Sequence, residues 1–284
     1  LVKSYIPGTY KEALEILSSD AVTIMAGGTD LMVKKRNWSG LAPNFEKSVM
    51  FVSHLKELDY IRRINGEICI GATATLETIL HDEKIPGFLK KAISLMASPG
   101  IRHTATLAGN IGNASPAGDT LPVLYVLDAK ILLGSSEGES IVPIERFING
   151  PGSRNMRSNE MIREIMIENK EFDFTMYEKV GGRKSDAISK VSFAGAVSTK
   201  FNNISDIRMA FGAVAPTVVR EKQFETRFID IPIQDIKRMK DMIIEIYEPS
   251  IKPINDQRST AAYRKKCALN LLGKFLDEAG GSYR

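Results

Sequence analysis

Two polar, glycine-bearing stretches hold the groups of this 284-residue chain that could do chemistry. The first, Met25-Ala26-Gly27-Gly28-Thr29-Asp30, directly follows the apolar run AVTIM. A glycine pair after a buried strand lets successive backbone N–H groups turn toward one point with no Cβ in the way, which is how a diphosphate is held without a lysine. Taken alone, Gly-Gly is better read as a tight turn that needs positive φ. The stretch is neither G-x-G-x-x-G nor G-x-x-x-x-G-K-[ST], so neither of those nucleotide fingerprints applies. The second stretch is TLAGNIGNASPAGD, residues 106–119. Gly109 and Gly112 can expose N–H groups there, and Thr106, Asn110, Asn113 and Ser115 offer side-chain hydrogen bonds. Asp119 can accept from ribose hydroxyls or cap the helix that follows. A solvated Ω-loop and a ligand clamp explain this composition equally well. Its position between apolar segments on both sides favours the clamp, and two such stretches could grip an extended anionic ligand.

The rest of the composition narrows the chemistry. Lys and Arg number 38 against 34 Asp and Glu, a net charge of +4, and they are dispersed, which argues against nucleic acid and suits a small anion. The two cysteines, Cys69 and Cys267, form no C-x-x-C pair, and the three histidines stand apart, which disfavours iron–sulfur, zinc and disulfide frameworks. No apolar run approaches the ~20 residues of a membrane span. The first residues, LVKSYIPGTYKEAL, lack a signal-peptide core, so a soluble cytoplasmic protein is expected.

The elements that must position these stretches follow from pattern. Thr9 to Glu12 reads as a capping box opening a helix. Strands are expected at 21–25, 48–55 and 67–75, the last after an Asn65-Gly66 turn. A helix is expected at 87–97, then, beyond the polar stretch, a helix ending near Leu127, a strand at KILLG and another at 160–168. From about residue 172 three strands, TMYEKVGGR, KVSFAGAVSTKF and DIRMAFGAVAP, precede two helices, 233–247 and 258–279. Strands followed by helices predict an α+β C-terminal domain, with a boundary near 170.

The wording of the motifs adds a resemblance. A-G-G-T-D after a strand, then I-R-x-x-A-T-L-A-G-N-I-x-x-A-S-P-x-x-D from Ile101, resembles the FAD-binding subunit of the molybdenum hydroxylases, the family of xanthine, carbon monoxide and nicotinate dehydrogenases. The resemblance continues through GATATLETI, FINGPG, EMIREIMI, YEKVGGRKSDAISKV and RMAFGAVAPTVVR, and so spans the chain. It implies an α+β fold of the vanillyl-alcohol-oxidase (PCMH) type: an FAD-binding domain over 1–170, in subdomains of about 1–55 and 56–170, then a smaller C-terminal domain over 171–284. That last domain would be a three-stranded antiparallel sheet with helices.

By position, the resemblance implies that Ile24, Met25, Ala26, Gly27, Gly28, Thr29, Asp30 and Leu31 wrap the FAD diphosphate. Thr106, Ala108, Gly109, Asn110, Asn113 and Ser115 would lie near the diphosphate and ribitol, and Asp119 would bind the adenosine ribose. Ile101 and Ile162 would line the flavin. Lys179 would sit by its pyrimidine edge, where a cation favours the reduced form; without the resemblance it reads as a strand lysine in a salt bridge. Arg183 and Asp186 are expected in a structural turn or interface. Ala108 stands where relatives commonly carry glycine, so a loop needing positive φ there would have to differ. No metal-binding residue is expected in this chain. The implied function is electron transfer from [2Fe–2S] clusters on a small subunit, fed by a molybdenum-cofactor large subunit, through FAD to NAD⁺ or another acceptor. FINGPG and RMAFGAVAPTVVR point first to a xanthine (purine) dehydrogenase, with another hydroxylase of the family, a flavin-free structural subunit or a stand-alone flavin oxidase as alternatives.

Overall fold

The computed structural model of the chain describes residues 2–183 and 186–281, and thirteen strands form among them. In chain order they are β1 (Ser4–Tyr5), β2 (Val22–Met25), β3 (Ser48–Phe51), β4 (Ile61–Ile64), β5 (Glu67–Gly71), β6 (Lys130–Ser135) and β7 (Gly138–Pro143). Then follow β8 (Ile148–Gly150), β9 (Ser153–Arg154), β10 (Met161–Glu168), β11 (Phe174–Val180), β12 (Val191–Lys200) and β13 (Asn203–Gly212). They divide between two units. The first runs to Ile85 and takes in Ala97–Ala114 and Ala129–Asn169. The second holds Pro86–Met96, Ser115–Asp128 and the described chain from Lys170 onward.

The first unit contains a parallel sheet of order β1-β3-β2 and an antiparallel sheet of order β4-β5-β10-β6-β7. The helix Tyr10–Ser19 begins where expected, with the Thr9 hydroxyl accepting the Glu12 N–H at 3.1 Å. Strand β10 lies between β5 and β6, pairing Ile165 with Ile70 on one side and with Ile131 on the other. That central place shows in its burial: Met161, Ile162, Ile165 and Ile167 are all buried. Asn65 and Gly66 both adopt positive φ, 50° and 80°, as a two-residue turn between β4 and β5 requires.

In the second unit β11, β12 and β13 form an antiparallel meander, with Lys179 opposite Ser192 and Phe193 opposite Phe211. The helices Lys240–Tyr247 and Ala261–Gly281 supply Tyr247 and Phe275 to a core shared with Phe193 and Phe211. The three-stranded antiparallel sheet and its helices are therefore as expected, with one correction. The helix expected over 233–247 is continuous only from Lys240; Ile233–Asp235 forms a separate 3₁₀ turn. Residues 236–239 between the two are turn.

A larger correction concerns 106–119. This stretch is not a loop throughout, because Leu107–Asn113 is a helix. Leu107, Ala108 and Ile111 share its buried face, an i, i+1, i+4 pattern that the glycines and asparagines between them conceal in the sequence. Among the described residues no helix is long and apolar enough to cross a membrane.

Candidate cofactor-binding site

Strand β2 carries Ile24 and Met25 and releases the chain into Ala26–Asp30, after which Leu31 opens a single helical turn ending at Lys34. The two glycines of this bend serve different ends. A Cβ on Gly27 would stand 2.0 Å from the Thr104 carbonyl oxygen and 3.0 Å from the Ala105 Cα, so only glycine lets the bend rest on the 104–105 backbone. Gly28 has φ +68°, the left-handed region. Among the described residues, the N–H groups of Gly27, Gly28, Thr29 and Asp30 have no protein acceptor. Four consecutive open donors, on half-buried Gly27–Thr29 and exposed Asp30, are what an anion cradle offers.

The second stretch is fixed from three directions. Thr106 caps its helix, with Oγ1 accepting the Gly109 N–H at 3.0 Å. Gly109 suits that place, since a Cβ there would come within 3.0 Å of the Thr106 hydroxyl. Thr75 forms a β-bridge to Thr106, and the Leu76 N–H donates to the Ala105 carbonyl at 2.8 Å, which gives GATATLETI its positioning role. At the far end Arg154 donates to the Gly112 carbonyl at 2.6 Å and the Gly152 N–H to the Ala114 carbonyl at 2.9 Å. FINGPGSR thus holds the C-terminus of this short helix. Asn110 lies on the helix, and Asn113 closes it.

Ala108 needs no special backbone. It is an interior, buried residue of the helix, and the left-handed residue of the segment is Ala114, φ 48°. The departure from glycine therefore improves helix propensity. Ala108→Gly should destabilise the chain by about 1 kcal/mol without tightening flavin binding, read by urea denaturation and FAD titration. A tighter-binding, equally stable variant would contradict this account.

Sequence reasoning missed Lys34. Its Nζ lies 2.8 Å from Asp30 Oδ2 and also donates to Asn113 Oδ1, tying the end of the first stretch to the end of the second helix. The Asp30 contact is an i, i+4 pair visible in the sequence, whereas Asn113 is 79 positions away. Ile101 lies on the turn Pro99–Arg102 and is exposed; Arg102 holds that turn by donating to Glu77 at 2.8 Å. This hydrogen bond, with a second from His81, lowers the Glu77 pKa. Ile162 is buried on β10, its Cδ1 3.8 Å from where a Cβ on Gly112 would stand.

The unit boundary falls inside the second stretch, between Ala114 and Ser115. Ser115 turns back on its own chain, accepting the Ala117 N–H at its hydroxyl and the Gly118 N–H at its carbonyl. Asp119 is buried and doubly engaged: Lys179 Nζ donates to Oδ2 at 2.7 Å and Ser189 Oγ to Oδ1 at 2.5 Å. Lys179 also donates to the Leu95 carbonyl at 2.9 Å. Burial raises the Asp119 pKa, and Lys179 and Ser189 pull it partly back. Tyr177, two residues before Lys179 on β11, is buried with its hydroxyl unpartnered among the described residues, and burial together with the Asp119 charge raises its pKa. Asp119 and Lys179, expected at the adenosine ribose and at the flavin, are joined by one buried ion pair.

The loop after β11 leaves and returns at the same place, with the Lys190 N–H bonded to the Val180 carbonyl at 2.8 Å. Arg183 donates to the Asp186 carbonyl within it, at 2.6 Å and 3.0 Å. Lys184 and Ser185 of the YEKVGGRKSDAISKV motif lie outside the described residues.

Residues 2–168 match the family described as the FAD binding domain in molybdopterin dehydrogenase, and residues 176–279 match the CO dehydrogenase flavoprotein C-terminal domain. The chain is similar to the glyceraldehyde dehydrogenase medium chain of Sulfolobus acidocaldarius, 30% identical over 275 residues and 94% of each chain. It is also similar to a putative xanthine dehydrogenase FAD-binding subunit of Escherichia coli K12, 25% identical over 281 residues, 95% of this chain and 93% of that one. Reconstituted CO dehydrogenase from Oligotropha carboxidovorans shares the fold, with a TM-score of 0.88 at 20% identity over 99% of this chain and 98% of its own.

Proposed function

The chain belongs to the FAD-binding subunits of the molybdenum hydroxylases, an oxidoreductase family, and from that premise we propose that it relays electrons in a cytoplasmic complex with a [2Fe–2S] small subunit and a molybdenum-cofactor large subunit. FAD, when bound, would supply the redox chemistry between the cluster-bearing partner and NAD⁺ or another acceptor. The observation that carries the reading is the row of four uncommitted N–H groups at Gly27–Asp30, which fits the diphosphate of FAD.

In the first unit these donors would hold the diphosphate, with Thr106, Gly109, Asn110 and Asn113 completing the polar wall. Ile24, Met25, Ala26, Leu31, Ile101, Ala108 and Ile162 would supply its apolar and backbone surround. In the second unit Lys179 is the candidate cation for the pyrimidine edge of the flavin, and Asp119 and Ser189 fix where its ammonium stands. Hydride and electron transfer ask the protein for orientation and charge, and need no acid–base dyad.

For the substrate of the whole complex we put a purine of the xanthine type first, on FINGPG and RMAFGAVAPTVVR. A second reading, an aldehyde, is favoured by the 30% identity to the glyceraldehyde dehydrogenase medium chain. The test is to purify the chain with whatever assembles on it. Absorbance near ~450 nm, a cluster-bearing partner and a molybdenum partner are expected, with the flavin bleached anaerobically by xanthine. Bleaching by glyceraldehyde and not xanthine selects the second reading. A colourless chain, purified gently and without partners, would end both.

A further inference from the structure

The Lys34 ammonium stands where the two polar stretches meet, and we propose that it is a direct ligand of the FAD diphosphate. The inference rests on the reading that Gly27–Asp30 cradle that diphosphate. An ammonium has three donors and no acceptor. Two of the three are spent, on Asp30 Oδ2 at 2.8 Å and on Asn113 Oδ1, and the third is open. The side chain is 55% exposed, so a ligand can reach it.

Charge supplies the second argument. A diphosphate approaching the Gly27–Asp30 donors meets the Asp30 carboxylate at the end of the row. Left alone, that carboxylate repels it; paired with Lys34, it serves to hold a cation beside the donors. Asn113 restrains the same amine from the side of the second helix, so little rotamer freedom is left to lose when the ligand arrives. Lysine is suited to this place as a point charge on a phosphate.

The experiment uses the full chain, stripped of flavin and titrated with FAD at several salt concentrations, with ADP as a competing probe that carries the diphosphate and no flavin. Lys34→Gln should weaken FAD about tenfold, the scale of one charge-assisted hydrogen bond. It should weaken ADP by a similar factor and flatten the dependence of log Kd on log salt. Lys34→Arg should retain FAD binding within about threefold. If Lys34→Gln misfolds, Lys34→Met takes its place, with the same expected losses for FAD and ADP and the same flattened salt dependence. Wild-type affinity for FAD and ADP in Lys34→Gln overturns the proposal, as does a loss for FAD with ADP affinity and salt slope unchanged, which marks Lys34 as a strut between loops. A wild-type chain that fails to bind FAD overturns the cofactor reading itself, which separates the two failures.

Discussion

Gly27→Ala should destabilise the chain by about 3 kcal/mol, at the upper end of what overpacking costs, and should abolish FAD retention on gel filtration. Gly28→Ala should cost only about 1–2 kcal/mol, the strain of a left-handed alanine. The asymmetry comes from what each new methyl meets. At Gly28 the nearest atom is the Met25 sulfur at 3.0 Å, the flexible end of a side chain. At Gly27 it is the Thr104 carbonyl at 2.0 Å, with the Thr104 carbonyl carbon at 2.6 Å. That backbone cannot retreat easily. Thr104 and Ala105 both donate to the Ile101 carbonyl, and Ala105 accepts from Leu76. The methyl must therefore push the first bend off the 104–105 backbone, which moves the four open N–H groups. Urea denaturation of both variants, beside FAD occupancy, checks the order; equal losses, or a costlier Gly28→Ala, would show that the bend is an ordinary turn.

The difference between these two glycines also marks how far the sequence could be read. An apolar strand followed by Gly-Gly announces a bend with accessible backbone, and the bend is there. That Gly27 serves a contact with residue 104 is not written locally, because nothing near Gly27 names its neighbour across the fold. The helix Leu107–Asn113 was hidden for a different reason. Its buried face of Leu107, Ala108 and Ile111 is only three residues wide, and two glycines and two asparagines outweigh it in any propensity sum. Tertiary anchors from Thr75, Gly152 and Arg154 stabilise a helix that its own residues would not hold. By contrast β11–β13 were legible because alternation and turn residues are local signals, and Ala261–Gly281 because twenty-one residues average out local noise. The charged groups fared worst. Lys34–Asn113, Asp119–Lys179 and Asp119–Ser189 join residues 79, 60 and 70 positions apart.

The Asp119–Lys179 pair yields the second large effect. Asp119→Asn should destabilise the second unit by about 3–5 kcal/mol, because it leaves a buried ammonium without its counter-charge. The side chains are only 9% and 5% exposed, so solvent cannot replace the lost partner. The double variant Asp119→Asn/Lys179→Met should recover most of that loss, since removing both charges also removes both desolvation penalties. Chemical denaturation of the wild type and both variants at neutral pH measures both effects. A double variant as unstable as Asp119→Asn would mean that the pair contributes through geometry that asparagine and methionine cannot reproduce, and the charge argument would fail. FAD affinity then separates stability from function: if Lys179 serves the pyrimidine edge as proposed, Asp119→Asn/Lys179→Met should bind flavin more weakly than the wild type even where it is as stable, because it lacks that ammonium.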